Sequence, residues 1–417
     1  CVQRWHDSGG SAACNEQKRY IAISSTYPIP KSGLTPIPGS FQYAKAFGSR
    51  SLEEGKSNEP LEMNSVMFIA SCTKLMTSIA AMQCVERGQI NLDDDVAELL
   101  PELAGLEILA GFDDAGNPEM RRRKNAITLR LLLTHSSGLC YDAMHPALMR
   151  YRQHLGEPLS SGVTIFERFN APLVFEPGTS WLYSPSIDYA GLLVERLTGL
   201  DLEAYMRKHL WTPLGITDIT FWPSAHPDLA KRLADMTVRD PAGSGRAVHY
   251  PGPTISTGAK ECMGGQGAYA AMPDYLKILH SLLVDDERLL RRDTAAEMFS
   301  PQLTPQSREG QKKLMARPDV AAQFVGHFPP DVEMNWGLGG ILITEDDTTE
   351  GGCRKKGTMI WSGMPNLFWF IDRQAGLCGL YGGQVLPAGD AKTGRMITLF
   401  EKAMYAKSAA ASPKARI

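Results

Sequence analysis

In this sequence, Ser71-Cys72-Thr73-Lys74 is the grouping whose residue types and spacing assemble a reaction. An S-x-x-K sets a hydroxyl and an amine one helical turn apart, so both project from one face within hydrogen-bond reach. A nucleophile and a base are thereby paired. At a helix start the free N–H groups and the macrodipole favour negative charge, which helps an attacking alkoxide and disfavours a protonated lysine. Lys74 also has apolar neighbours, Ile69 and Ala70 before it and Leu75 and Met76 after it. Burying an ammonium among them costs several kcal/mol unless it is paired or its pKa falls. Motif count alone decides nothing, because a chain this long should hold about one or two S-x-x-K by chance. The apolar surroundings carry the reading.

Other motifs lose a physical requirement. Gly55-Lys56-Ser57 ends like a phosphate-binding loop, but Arg50 stands where the first glycine is needed. Gly265, Gly267 and Ala270 fit a degenerate G-x-G-x-x-A with no strand leading into it and no acidic ribose partner, so a glycine-rich turn is the better reading. The nine histidines never form H-E-x-x-H or H-x-H, and no G-x-S-x-G is present. No metal set and no cofactor site is expected.

The elements that must position Ser71 and Lys74 follow from pattern. Tyr20 to Ser24 reads as a short strand in an otherwise irregular stretch of about the first forty residues, rich in glycine, serine and proline. Phe41 to Phe47 alternates as a half-buried strand, and Val66 to Cys84 is a nearly continuous apolar run stopped by Gly88, predicting one buried helix. Leu92 to about Tyr250 reads as helical, with segments at Val96 to Leu100, Leu129 to Leu133, Ile187 to Thr198 and Leu202 to Leu210. Ala271 to Leu283 is an amphipathic helix. Trp336 to Ile343, Met359 to Trp361, Leu367 to Ile371 and Leu377 to Tyr381 are successive antiparallel strands, and Thr393 to Ala406 a final helix. Strands near both ends and helices between them predict an α+β fold, with a helical unit of residues 91–250 inserted into a sheet-bearing unit of residues 1–90 and 251–417.

These residues resemble a known family. Phe68-Ile69-Ala70-Ser71-Cys72-Thr73-Lys74-Leu75-Met76-Thr77, Leu131 to Leu139 with Thr134-His135-Ser136-Ser137-Gly138, and Trp181-Leu182-Tyr183-Ser184-Pro185 look like the serine β-lactamase-like superfamily. Gly264-Gly265-Gln266-Gly267, Pro273-Asp274-Tyr275-Leu276 and Trp361-Ser362-Gly363-Met364-Pro365-Asn366 extend the match. Within it the chain is most similar to class C-type esterases and transesterases, including the lovastatin-pathway acyltransferase type of fungal polyketide clusters. The resemblance implies a β-lactamase/transpeptidase-like fold. It implies Ser71 as the acylated nucleophile, Lys74 as its base partner, and Tyr183 as the phenol that relays the proton to the leaving group. The backbone N–H groups of Ser71 and Met364 would form the oxyanion hole. Trp361, Ser362, Gly363 and Pro185 would line the substrate site.

Two departures from the family pattern bear on substrate. Pro185 stands where an amide-binding Asn is usual, and Trp361-Ser362-Gly363 replaces the K-T-G strand, turning a cationic edge into an apolar wall. Lys392-Thr393-Gly394 spells K-T-G but opens the final helix, and is a decoy. His135 reads as a structural hydrogen-bonder. The expected activity is transfer of an acyl group from an ester or thioester of a hydrophobic, polyketide-type small molecule, or from an acyl-carrier protein, through acyl-Ser71 to water or an alcohol. The rivals are a β-lactamase or D-amino-acid peptidase, and a catalytically silent scaffold of the same fold.

Composition sets the outer bounds. Of 417 residues 43% are hydrophobic and 21% charged, which excludes a mainly disordered chain. Lys and Arg number 43 against 46 Asp and Glu, so no net basic field invites nucleic acid. No run of about 18 apolar residues predicts a membrane span. Eight thinly spread cysteines without a C-x-x-C pair read as reduced thiols and favour a cytoplasmic setting. The absence of Met before Cys1 suggests a truncated or processed start.

Overall fold

The computed structural model describes residues 19–26, 41–56, 59–321, 323–324, 328, 332–349 and 352–411. The proline-rich segment expected to be irregular lies largely outside these residues. Strand β1 (Tyr20–Thr26) is buried along its whole length, and β2 (Gln42–Phe47) is half-exposed beside it. The short strand expected over Tyr20 to Ser24 is present, runs two residues further, and lies inside the sheet rather than at its edge. The alternation of Ile21 and Ile23 with Tyr20 and Ala22 supplies apolar groups to both faces.

The expected single helix from Val66 to Cys84 is three pieces. Strand β3 (Val66–Phe68) leads through a 3₁₀ turn at Ala70–Cys72 into helix α1 (Thr73–Glu86), whose residues Thr73 to Cys84 are all buried. A continuous apolar run carries no period that separates a buried strand from a buried helix. The middle of the chain holds short helices and α2 (Ser186–Thr198), closed by Gly199 at φ 69°. It is not helical throughout. It contains the hairpin Ile108–Phe112 with Pro118–Arg121, strand β4 (Ile219–Thr220), and the pair Thr237–Arg239 with Ala247–His249. Strands of two to five residues are too short to show alternation. The helix expected over Leu202 to Leu210 is α-helical only to Met206, then widens into a π turn.

Strand β5 (Tyr269–Ala271) pairs with β3 and β4 in a small antiparallel sheet and runs directly into α3 (Met272–Val284). The strand expected over Trp336 to Ile343 is two, β6 (Met334–Trp336) and β7 (Ile341–Ile343), because glycines 337, 339 and 340 make the turn between them. A Cβ at Gly340 would stand 2.6 Å from the Ile360 carbonyl oxygen. Then come β8 (Met359–Gly363), β9 (Leu367–Asp372), β10 (Leu377–Gly383) and the last helix α4 (Ala391–Ala411). Among the described residues the main sheet has seven strands, ordered β6-β7-β8-β9-β10-β1-β2, every neighbouring pair antiparallel. Helices α3 and α4 pack on it, α2 packs along α1, and the buried pair Arg354 and Glu401 at 2.7 Å ties the approach to β8 to α4. This is the α+β architecture, a mixture of helices and antiparallel sheet.

Candidate active site

The turn from β3 into α1 is held in place atom by atom. Ile69 N–H donates to the Ala268 carbonyl at 3.0 Å, the Thr73 hydroxyl donates to the Ala70 carbonyl at 2.6 Å and accepts from Ala268 N–H at 3.1 Å. The Tyr275 hydroxyl donates to the Cys72 carbonyl at 2.7 Å. Ala70 sits at φ 43°, a left-handed conformation costly for any residue with a Cβ. The surrounding bonds over-determine that strained residue, and it presents Ser71 at the head of the helix.

Three expected residues meet there. The Tyr183 hydroxyl donates to Ser71 Oγ at 2.6 Å, and Lys74 Nζ lies 3.3 Å from the same oxygen. Lys74 Nζ also donates to the Gly265 carbonyl at 2.7 Å and to the Tyr141 hydroxyl at 3.3 Å, and stands 4.6 Å from the Tyr183 ring centre. Lys74 is 2% and Tyr183 8% exposed, whereas Ser71 is half-buried, so the serine is the member of the cluster most open to solvent.

Burial sets the proton affinities. Desolvation pushes the Lys74 ammonium down to about 8, opposed by the negative charge of Asp188. The Tyr183 phenol is pushed up by burial, against the hydrogen bond to Ser71. Asp188, fully buried in the first turn of α2, is pushed up to about 6 by desolvation, opposed by Lys74 and by the hydrogen bond from Gly265 N–H. Cys72, next to the serine, has its thiol pushed up by burial and is no rival nucleophile.

The remaining expected residues surround this cluster. Trp361 is buried, its ring centre 5.1 Å from that of Tyr183, 4.8 Å from Trp336 and 5.4 Å from Phe324. Ser362 is buried, and a Cβ on Gly363 would stand 2.5 Å from the Ile69 carbonyl oxygen, so the end of β8 presses on the turn that carries Ser71. Met364 is half-buried and packs with Phe68 and Ala70. Pro185 opens α2, its carbonyl accepting from Asp188 N–H at 2.9 Å.

His135 is fully buried, with Nδ1 3.0 Å from the Ser184 hydroxyl and its carbonyl accepting from Leu182 N–H at 3.1 Å, so it grips both neighbours of Tyr183. Burial and the nearby Lys74 charge hold it well below the usual histidine range. Lys392 opens α4 and donates to the Gly245 carbonyl at 2.7 Å.

Sequence reasoning missed Tyr141, Asp188 and the Gly265 carbonyl. Asp188 had a legible signal, an acidic residue between Ile187 and Tyr189 on an apolar helix. Tyr141 follows the quoted Thr134 to Leu139 stretch, and a backbone carbonyl has no side-chain signature at all.

A sheet of this order beside a buried Ser-x-x-Lys helix is the architecture of serine acyl-transfer enzymes. The chain belongs to the β-lactamase family, whose model, described as Beta-lactamase, matches residues 38–381. It is 41% identical over 374 residues to the monacolin J acid methylbutanoyltransferase of Aspergillus terreus, covering 88% of this chain and 89% of that one. To the lovastatin esterase of Penicillium rubens it is 38% identical over 378 residues, covering 90% and 94%. Among solved structures, a variant of simvastatin synthase (LovD) from Aspergillus terreus superposes with a TM-score of 0.85 at 38% identity, covering 95% of this chain and 92% of that one. This chain is accordingly an enzyme of the acyltransferase and esterase group of that family. Among the described residues no helix is long and apolar enough to cross a membrane, and Cys72, Cys84, Cys140, Cys262, Cys353 and Cys378 are free thiols.

Proposed function

We propose that the protein moves an acyl group from an ester or thioester of a hydrophobic, polyketide-type small molecule to an alcohol or water, through an ester on Ser71. The observation that carries this is the Tyr183 hydroxyl at 2.6 Å and Lys74 at 3.3 Å on one serine oxygen. Free tyrosine and lysine titrate at about 10 and 10.4, so neither alone is a base at neutral pH. With its affinity lowered to about 8, Lys74 has an appreciable neutral fraction. Neutral Lys74 takes the proton as Ser71 Oγ bonds to the substrate carbonyl carbon. The resulting oxyanion is met by the N–H groups of Ser71 and Met364. Tyr183 donates its proton to the leaving oxygen or sulfur as that bond breaks and recovers a proton from Lys74. An acceptor hydroxyl then reverses these steps on acyl-Ser71.

Esters are favoured over lactams and peptides because Pro185 has no side-chain hydrogen-bonding group for an amide, and Trp361 brings a packed aromatic face where a cation would hold a carboxylate. The relatives named above, a methylbutanoyltransferase and a lovastatin esterase, support the same substrate class. An acyl-carrier protein as donor and a cytoplasmic setting belong to the same proposal. So does a division into residues 1–90 with 251–417 and residues 91–250. In its favour, Ser71 and Lys74, Tyr183, and Gly265 with Trp361 come one set from each of the three chain segments. The test is intact mass after incubation with p-nitrophenyl butyrate, an acyl thioester and a penicillin. The esters should add one acyl group to the protein and none to Ser71→Ala. An adduct that persists in the alanine variant would refute the assignment.

A further inference from the structure

We infer that Asp188 is a positioning residue for Lys74, acting through Gly265, an inference that rests on the reading of Ser71, Lys74 and Tyr183 above. Lys74 and Asp188 make no direct ion pair; Gly265 stands between them. Its N–H donates to Asp188 Oδ1 at 2.9 Å and its carbonyl accepts from Lys74 Nζ at 2.7 Å. A Cβ at Gly265 would overlap the Asp188 carboxylate, so only glycine lets the backbone bridge the two groups this closely. Among the described residues no donor reaches Asp188 Oδ2.

A fully buried carboxylate with one N–H donor is an expensive way to hold a loop. Serine or asparagine would cap the same N–H without a charge. What the charge adds is its effect on the lysine. Lys74 otherwise faces Cys72, Tyr141, Tyr183 and His135, and Asp188 faces Arg168, Tyr141, Tyr183 and Tyr189. Burial keeps the phenols and the thiol protonated and His135 neutral. Arg168 donates to the carbonyls of Gly162, Ile255 and Thr257. Arg168 keeps its charge and helps hold the Asp188 carboxylate ionised, and Asp188 is the charged group that acts on Lys74. The carboxylate holds up the proton affinity of Lys74 against desolvation, so the lysine stays basic enough to take the serine proton, while Gly265 fixes where the amine points.

The test is Asp188→Asn, which keeps an acceptor for Gly265 N–H and removes the charge. Two readouts are compared with the unaltered protein: the Lys74 titration by NMR of lysine labelled at Cε, assigned through Lys74→Arg, and the pH dependence of acylation by p-nitrophenyl butyrate. The Lys74 midpoint should fall by about one unit or more, and the acid limb of acylation should move with it. A purely structural role would lower thermal stability and leave both midpoints in place, and that result overturns the inference. A lysine midpoint that falls while the acylation limb stays fixed would remove Lys74 as the base, and so would count against the site reading rather than the coupling. Gly265→Ala supplies a second perturbation should the asparagine variant not fold. Its Cβ displaces the carboxylate, and the lysine midpoint should fall in the same direction.

Discussion

Ser71 Oγ accepts a hydrogen bond from the Tyr183 hydroxyl at 2.6 Å, so on the proposed mechanism the phenol already lies on the oxygen that would be acylated. Tyr183→Phe keeps the ring contacts with Trp361 and His135 and removes only that proton path. We expect kcat to fall about a hundredfold or more with KM nearly unchanged. An unaltered kcat would take Tyr183 out of the mechanism. The pH profile follows from Lys74. Burial lowers its affinity to about 8, and the base form is the deprotonated one, so kcat/KM should rise with pH through a midpoint near 8. Stopped-flow acylation by p-nitrophenyl butyrate over about pH 6 to 9 measures this, and a flat profile would exclude Lys74 as the base.

At the level of elements, the site depends on a strand end pressed against a strained turn. Gly363 closes β8 against the Ile69 carbonyl, and Ala70 next in the chain holds φ 43°. Gly363→Ala would force a Cβ to 2.5 Å from that oxygen, and either β8 or the turn must move. We expect a loss of about 1–3 kcal/mol in thermal unfolding, and a drop in kcat larger than an equally destabilising change far from the turn would give. Loss of stability with full kcat would mean that the register of β8 against the turn does not matter to the chemistry.

At the scale of the molecule, the 3₁₀ turn and α1 bring Ser71 and Lys74, the chain before α2 brings Tyr183, and the sheet brings Trp361 to Gly363. The wall so formed is aromatic, the Pro185 side chain has no hydrogen-bonding group for an amide, and Trp361 has no cation for a carboxylate. Each substrate polar group buried without a partner costs roughly 1–3 kcal/mol, a factor of about ten to a hundred or more in kcat/KM. Side-by-side kcat/KM for p-nitrophenyl butyrate, an acyl thioester and nitrocefin should therefore place both acyl donors well above the lactam. Nitrocefin turned over as fast as the ester would favour a lactamase. A thioester consumed only when an alcohol is present would mark transfer over hydrolysis.

The sequence by itself determined the α+β class and singled out Ser71 and Lys74, because one-turn spacing in an apolar run is a local property of the chain, while Tyr183 was singled out only through the family resemblance. The sequence also placed the later strands, as apolar runs bounded by glycines, which are equally local. It did not separate β3 from α1 or β6 from β7, because a buried strand and a buried helix share one hydrophobic pattern and a glycine turn inside a short run leaves little else to count. Only the tertiary structure decided that Gly265 lends a backbone carbonyl to Lys74, that Asp188 lies across it, and that Tyr141 shares the amine. These partners are 67 or more residues from Lys74 in the chain, and their effect is the balance of desolvation against charge at one buried point, which exists only once the segments are packed together.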